Sequence, residues 1–274
     1  MKVFLIGDRG TLGPPAAAAL RSAGHEVADP RDQSMSGCDA VVSLAPPQPV
    51  GYAALGPAAW RRHDRHLAEG SRRLVEAAGR AGVPRFVQCS SSVLYADSGD
   101  DRIDEFTTID LTQATEPFVI AESNAEQFGR EGGEHVVLRL GRIVGPTDHT
   151  AWMVRRARSG RPTGFGDPQS WIHLVHPEDA AAAIVAALTA PSGTYNVGAE
   201  PARRHDLAEQ YALAGERRGA RFHGPLTHHL AGRRLEMLTR SQRVSSQRFG
   251  DRTGWHPAFP KLTPEWFDRA LVDA

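Results

Sequence analysis

Cysteine is nearly absent, with two residues in 274, Cys38 and Cys89. They stand at the start and end of short apolar runs that read as strands, which excludes a disulfide framework and makes a reducing cytoplasm the expected setting. No apolar run approaches the length that spans a bilayer. The opening MKVFLIGDRG enters a glycine loop at once, without the long apolar segment of a signal peptide. An excess of charge of either sign is also missing. Lys plus Arg and Asp plus Glu number 32 each, so nothing here attracts nucleic acid or an anionic membrane, and the expected partner is a small molecule. Lysine is scarce beside arginine, which reflects codon usage and says nothing of function. Internal repeats are lacking, as is low complexity beyond alanine-rich helices.

What is present is an alternation. KVFLIG, HEVAD, AVVSLA, RFVQCSS and HVVLRL read as buried strands. PPAAAALRSAG, AAWRRHDRHLAEGSRRLVEAAGRAG and EPFVIAESNAEQFGREGG read as helices between them, each stopping at a glycine. This rhythm predicts an α/β fold, a Rossmann-type doubly wound parallel sheet with a smaller C-terminal substrate lobe. After Gly145 and Pro146 the rhythm breaks. The expected division is residues 1–165 for the dinucleotide domain, with 177–199 returning to it, and 146–176 with 200–274 for the substrate lobe.

The loop LIGDRGTLGPPAAAAL places Gly7, Gly10 and Gly13 between the first strand and the first helix. The first glycine permits the tight turn, the second the approach of a pyrophosphate, and the third close helix packing, while the N–H groups of Thr11 and Leu12 face the anion. A dinucleotide is the natural ligand, against the alternative of a tight turn with no ligand. Pro14 and Pro15 suit a helix start and remove two donors near the phosphates. After the second strand, Asp29 suits a ribose hydroxyl and Arg31 a 2′-phosphate, so the cofactor is NADP or NAD, with a slight lean to NADP.

GDRGTLG, DAVVSLA, LAEGSRRLVEAAGRAGVPRFVQCSSSVLY, VVLRLGRIVGP, IHLVHPEDAAAAI, GTYNVG and GWHP stand in an order that resembles the extended or atypical short-chain dehydrogenase/reductases, the NAD-dependent epimerase/dehydratase family, over almost the whole chain. That resemblance implies an Asn, Ser or Thr, Tyr and Lys tetrad. Ser91, four before Tyr95, matches the hydroxyl. Leu67, Phe118 and Glu122 stand where the asparagine, tyrosine and lysine are expected. Phenylalanine exchanges no proton. Glu122, one helical turn from Phe118, could accept hydrogen bonds from the ribose or act as a carboxylate base; a solvated helix residue is an equal reading. The resemblance further implies that Ser43, Leu44, Ala45, Pro46 and Pro47 pass close to the nicotinamide. It also implies a homodimer through the helices containing Leu67–Ala78 and Glu116–Arg130, where Leu67, Leu74, Val75, Ala78, Phe118, Ala121 and Ala125 suit a core or an interface equally.

The catalytic set is Ser91, Glu122, His173 and Tyr95, the last able to supply a phenol although packing is its usual duty. Substrate contacts are expected from Ser91, Phe118, His173, Arg142 (an anchor for an anionic or carbonyl group) and Trp152, which with Trp171 suits a pocket wall or a packed core. His63 and His66 sit in RRHDRH, a solvated face. His176 precedes a helix start and reads as structural. Neither histidine pair has a third ligand, so no metal is expected. The functional expectation is a small-molecule enzyme with non-standard chemistry: redox-neutral isomerisation, dehydration or cyclisation, or hydride transfer with an unusual acid. The alternative is a catalytically silent dinucleotide sensor or a ligand-binding protein of the same fold.

Overall fold

The computed structural model describes residues 1–28, 34–46, 49, 57–224 and 237–267. Asp29, Arg31 and Pro47 lie outside the described residues. In chain order the first half runs β1 (Lys2–Ile6), α1 (Gly13–Ser22), β2 (Glu26–Ala28), β3 (Ala40–Ser43), α2 (Pro57–Arg65), α3 (Ser71–Arg80), β4 (Arg85–Ser91), β5 (Arg102–Ile103), α4 (Glu116–Arg130) and β6 (Glu134–Leu140). There follow β7 (Arg142–Ile143), α5 (Asp148–Arg158), β8 (Trp171–Ile172), β9 (Leu174–Val175), α6 (Pro177–Ala187), β10 (Gly193–Val197), β11 (Ala202–Arg203), α7 (Arg204–Ala214), β12 (Arg243–Val244) and α8 (Gln247–Thr253).

Six strands form one parallel sheet in the order β10-β6-β4-β3-β1-β2. The expected doubly wound α/β fold is therefore present, and β10 rejoins the sheet as GTYNVG suggested. Successive side chains along a strand point to opposite faces, and the core divides accordingly. Val3, Leu5, Val42, Val87 and Leu138 pack with Leu20 of α1 and Ile184 of α6. Phe4, Val41, Phe86 and Val137 pack with Val75 of α3 and Ala125 and Phe128 of α4. Phe86 and Phe128 meet with ring centroids 5.7 Å apart, and burying each such ring contributes about 1.5–3 kcal/mol.

A separate apolar cluster unites Val144, Val154, Ile172, Leu207, Tyr211 and Trp266 beyond the sheet. Short pairings tie this region down: β11 runs antiparallel to β8, while β12 lies parallel to β5 and β7 to β9.

One expected helix is divided. Between α2 and α3 the chain makes a π-type turn over His66–Gly70. The Ala68 carbonyl accepts from the Ser71 N–H and also from Ser71 Oγ at 3.1 Å, and Asn124 Nδ2 of α4 donates to Ser71 Oγ at 2.8 Å. Side chains thus add to the backbone bonds at the widened turn. The RRHDRH segment also departs from expectation. His63 is buried and its ring lies 5.8 Å from that of Phe118, while Arg61, Arg62 and His66 are exposed. Helical geometry turns one of these residues inward whatever the overall charge of the run.

Candidate functional site

The carboxyl ends of β1, β3, β4 and β6 lie side by side, the edge at which open α/β sheets take ligands. β1 leads into Gly7, whose φ of +94° suits a residue without a side chain. A Cβ there would also come within 2.9 Å of the Leu44 Cβ, and one on Gly13 within 1.9 Å of the Asp8 carbonyl oxygen. The loop is braced from inside, with Gly10 N–H donating to Gly7 O and Gly13 N–H to Gly10 O, both at 2.9 Å. The N–H groups of Thr11 and Leu12 have no acceptor among the described residues. A cradle closed to side chains, with free N–H groups at a helix start, fits a pyrophosphate. Leu44 is buried against Gly7 and Ala45 is half-buried beside it.

Ser91 ends β4 and caps a short 3₁₀ turn, Ser92–Leu94. Its Oγ accepts from Val93 N–H at 3.4 Å, leaving its own proton without an acceptor among the described residues. The neighbouring Ser92 Oγ meets His173 Nδ1 at 3.0 Å. Burial pushes the His173 imidazole down to about 3, so the ring is neutral, and its Nε2 abuts Gly198. His173 and Ser92 meet one residue from Ser91.

Glu122 is not a solvated residue: it is 4% exposed and faces the sheet. Its carboxylate accepts from Arg139 Nη2 at 2.7 Å, from Arg139 Nε at 3.0 Å and from Ser90 Oγ at 2.6 Å. Strand alternation explains this. Ser90 shares a face with Phe86, and Arg139 with Val137, so both point at α4 while Ser91 points elsewhere. A guanidinium inside HVVLRL required a carboxylate, and the sequence reading missed that signal.

Tyr95 belongs to the same buried network. Fully enclosed, its hydroxyl donates to Asn196 Oδ1 at 2.8 Å and accepts from Arg139 Nη1 at 2.9 Å. Burial raises its phenol above the usual range although Arg139 opposes the shift. Glu105, which the sequence reading also overlooked, accepts from Asn196 N–H at 2.8 Å. Phe118 is 2% exposed within a cluster of Leu67, Leu94 and Ala121, with Ala45 against it. Leu67, Val75, Ala78, Ala121 and Ala125 are likewise buried within this chain, so those members of the proposed interface set serve the core.

The other candidates divide. Arg142 Nη2 meets His149 Nε2 at 2.9 Å. Trp152 stacks on His149 at 5.9 Å and carries the Arg156 guanidinium at 4.9 Å. Trp171 is held by Arg203 over its ring at 3.6 Å and by an indole N–H bond to Asp100 at 2.7 Å. His176 caps α6, accepting from Glu178 N–H at 3.3 Å, a structural role as expected. Cys89 is fully buried and its thiol is pushed up to about 12.

The NAD dependent epimerase/dehydratase family model matches residues 3–198. The chain belongs to this family. It is accordingly an NAD(P)-dependent enzyme with the family's Rossmann fold. A 3-diazoavenalumate denitrifying reductase of a Streptomyces species is 29% identical over 302 residues, covering 95% of this chain and 97% of the relative. The human epimerase family protein SDR39U1, crystallised with NADPH, superposes with a TM-score of 0.82 at 23% identity, covering 98% of this chain and 99% of that one. RMD from Pseudomonas aeruginosa, complexed with NADPH, gives 0.75 at 21% identity, covering 99% and 98%. The present sequence contains no Tyr-x-x-x-Lys in any register, since its lysines are Lys2 and Lys261 and its tyrosines Tyr52, Tyr95, Tyr195 and Tyr211. No helix among the described residues is long and apolar enough to cross a membrane.

Proposed function

We propose that this enzyme is a nicotinamide-dependent reductase that gives hydride to a small electrophile without a tyrosine acid. The observation that carries the reading is where the phenols and ammonium groups lie. Among the described residues, Tyr95, Tyr195 and Tyr211 are enclosed in the core. Lys2, at the amino end of β1, pairs with Glu26, and Lys261 pairs with Glu200. None of these groups hydrogen-bonds to Ser91.

When bound, the reduced nicotinamide supplies a hydride. A carbonyl carbon that receives one becomes an alkoxide and needs a proton, usually from a positioned acid. A carbon bearing a diazonium group forms its new C–H bond as the C–N bond breaks, the electron pair leaving with dinitrogen, and needs none. The denitrifying reductase among the relatives supports the second kind of acceptor. Redox-neutral epimerisation would begin by taking a proton from an alcohol, and no described phenol is bonded to Ser91 for this: Tyr95 is held by Asn196 and Arg139, Tyr195 by the Pro191 carbonyl, and Tyr211 packs with Val144 and Leu207.

The protein's residues then bind and orient. The Gly7–Gly13 loop with Thr11 and Leu12 N–H holds the pyrophosphate of NADP or NAD, Leu44 and Ala45 line the nicotinamide side, and Ser91 donates its free hydroxyl to the substrate. Arg142 anchors the far end of the substrate and Trp152 walls it. Tyr95, Glu122, Phe118 and His173 maintain the frame. In this reading residues 1–165 and 177–199 serve the cofactor, 146–176 and 200–274 serve the substrate, and the setting is a reducing cytoplasm. Reaction of an arenediazonium salt with 4-deuterated NADPH tests it. Deuterium is expected at the carbon that lost nitrogen. Product without deuterium, or faster turnover of the matching aryl ketone, rejects it.

A further inference from the structure

Two arginines border one small cavity in the C-terminal region, and neither makes an ion pair among the described residues. The space is about 20 Å³, with Arg142, Arg204, Tyr211 and Thr163 on its polar side and Met153, Ile172 and Leu207 among its apolar lining. Arg204, at the first position of α7, is 7% exposed. Its Nη2 donates to the Arg240 carbonyl at 2.6 Å, while its Nε has no partner. The Tyr211 hydroxyl lies near Thr150, buried and without a hydrogen bond of standard geometry. Arg142 meets only the neutral face of this environment: burial and the Arg142 charge itself push the His149 imidazole down to about 3.

The nearest carboxylates are occupied. Asp97 and Asp167 act on Arg204 through their charge alone. Asp97 accepts from the N–H groups of Gly99 and Ser241, and Asp167 from that of Gln169. Desolvation, with Arg142 close by, pulls the Arg204 guanidinium down to about 10. A buried cation with an unused donor, as Arg204 is, costs stability, and with the half-buried Arg142 beside the same cavity it is best explained by an anion that completes both. Guanidinium groups match a carboxylate's two oxygens.

The location fits a substrate. Arg142 stands two residues beyond Leu140, which is the register partner of Ser91, so the cavity borders the same edge of the sheet. A space of this size holds about one water, which admits one oxygen of a carboxylate with the rest of the substrate outside it and excludes a diphosphate.

The geometry points to a carboxylate-binding site formed by Arg142, Arg204 and Tyr211, making the substrate of the proposed reductase a small carboxylic acid. The site rests on that reading for its purpose, and its test is independent of turnover. Thermal unfolding and calorimetry of the full chain with saturating NADP would compare millimolar cinnamate, its neutral amide cinnamamide, and inorganic phosphate. Cinnamate alone is expected to bind and to raise the melting temperature. Arg204→Met should weaken cinnamate about tenfold or more, the loss of one charge-assisted hydrogen bond, while the ligand-free variant stays folded, because removing a buried charge offsets the lost bond to the Arg240 carbonyl. Equal responses to cinnamate and cinnamamide, no response to either, stronger binding of phosphate, or unchanged cinnamate affinity in Arg204→Met would each overturn the site. If Arg204→Met does not fold, Arg142→Met and the native chain's carboxylate-to-amide comparison decide. Failure of the deuterium-transfer experiment with cinnamate still bound would reject the reductase reading and leave this site standing.

Discussion

Glu122 of α4 and Arg139 of β6 form an ion pair inside the protein, with side chains 5% and 7% exposed and their closest atoms 2.7 Å apart. Glu122→Ala leaves the guanidinium buried without its counter-charge, a change that costs about 3–5 kcal/mol, or roughly 6–20 °C in melting temperature. Replacing both residues by leucine should recover most of that loss. Urea and thermal unfolding measure both effects, and an unchanged melting temperature in Glu122→Ala would refute the assignment. Restoring lysine at position 122 would set a second cation against Arg139, so such a variant reports on folding and not on catalysis.

Gly13→Ala should abolish dinucleotide binding. Its Cβ would stand 1.9 Å from the Asp8 carbonyl oxygen, so the loop that presents Thr11 and Leu12 must rearrange. Calorimetry with NADP and NAD, alongside circular dichroism to show a folded chain, checks this. Retained affinity in a folded variant would remove the loop from the cofactor site.

Ser91→Ala should lower turnover by about 10²-fold, the scale of losing one aimed donor at a reacting centre, with little change in melting temperature. Ser92→Ala should do the opposite. It removes the partner of His173 at 3.0 Å, so its effect falls on stability first. Steady-state kinetics beside melting curves separate the two serines, and equal kinetic losses would show that both act at the substrate.

His173 predicts a pH dependence of folding. Its imidazole is pushed down to about 3 by burial, from 6.5. Below pH 6.5 the unfolded chain therefore binds a proton that the folded chain refuses, and stability falls as pH drops from 6.5 toward 3. The slope from this group approaches about 1.4 kcal/mol per pH unit. Denaturant midpoints between pH 7 and pH 4 should fall less steeply in His173→Gln than in the native chain. Identical slopes would mean that the ring is not buried neutral.

We propose a homodimer through the outer faces of α3 and α4. Ile120, 38% exposed on α4, and the half-buried Leu74 of α3 are apolar residues available to it once Phe118, Ala121 and Ala125 are taken by the core. Light scattering at micromolar concentration should give twice the chain mass, and Ile120→Arg should reduce it. A monomeric mass for the native chain would discard the interface.

The fold was legible because its signals are local. Apolar runs such as KVFLIG and RFVQCSS, glycines in the left-handed region at Gly24, Gly82 and Gly132, and a glycine loop at the mouth of a helix each act within one turn or strand. Spacing alone could not place Glu122. A carboxylate four residues from Phe118 reads as one stripe of an amphipathic helix, and nothing within α4 says whether that stripe meets solvent, cofactor or sheet.

By itself the sequence determined the element order, the phosphate loop, the absence of any tyrosine–lysine pair and the position of Ser91 at a strand end, because these follow from short-range sterics and residue chemistry. Tertiary structure alone decided which charges meet. Arg139 finds Glu122 across 17 residues, Tyr95 finds Asn196 across 101, and Arg142 shares a cavity with Arg204. Such pairings depend on strand register and on which face each side chain takes, and on the cost of leaving a charge in a dry interior, which is set by everything packed around it.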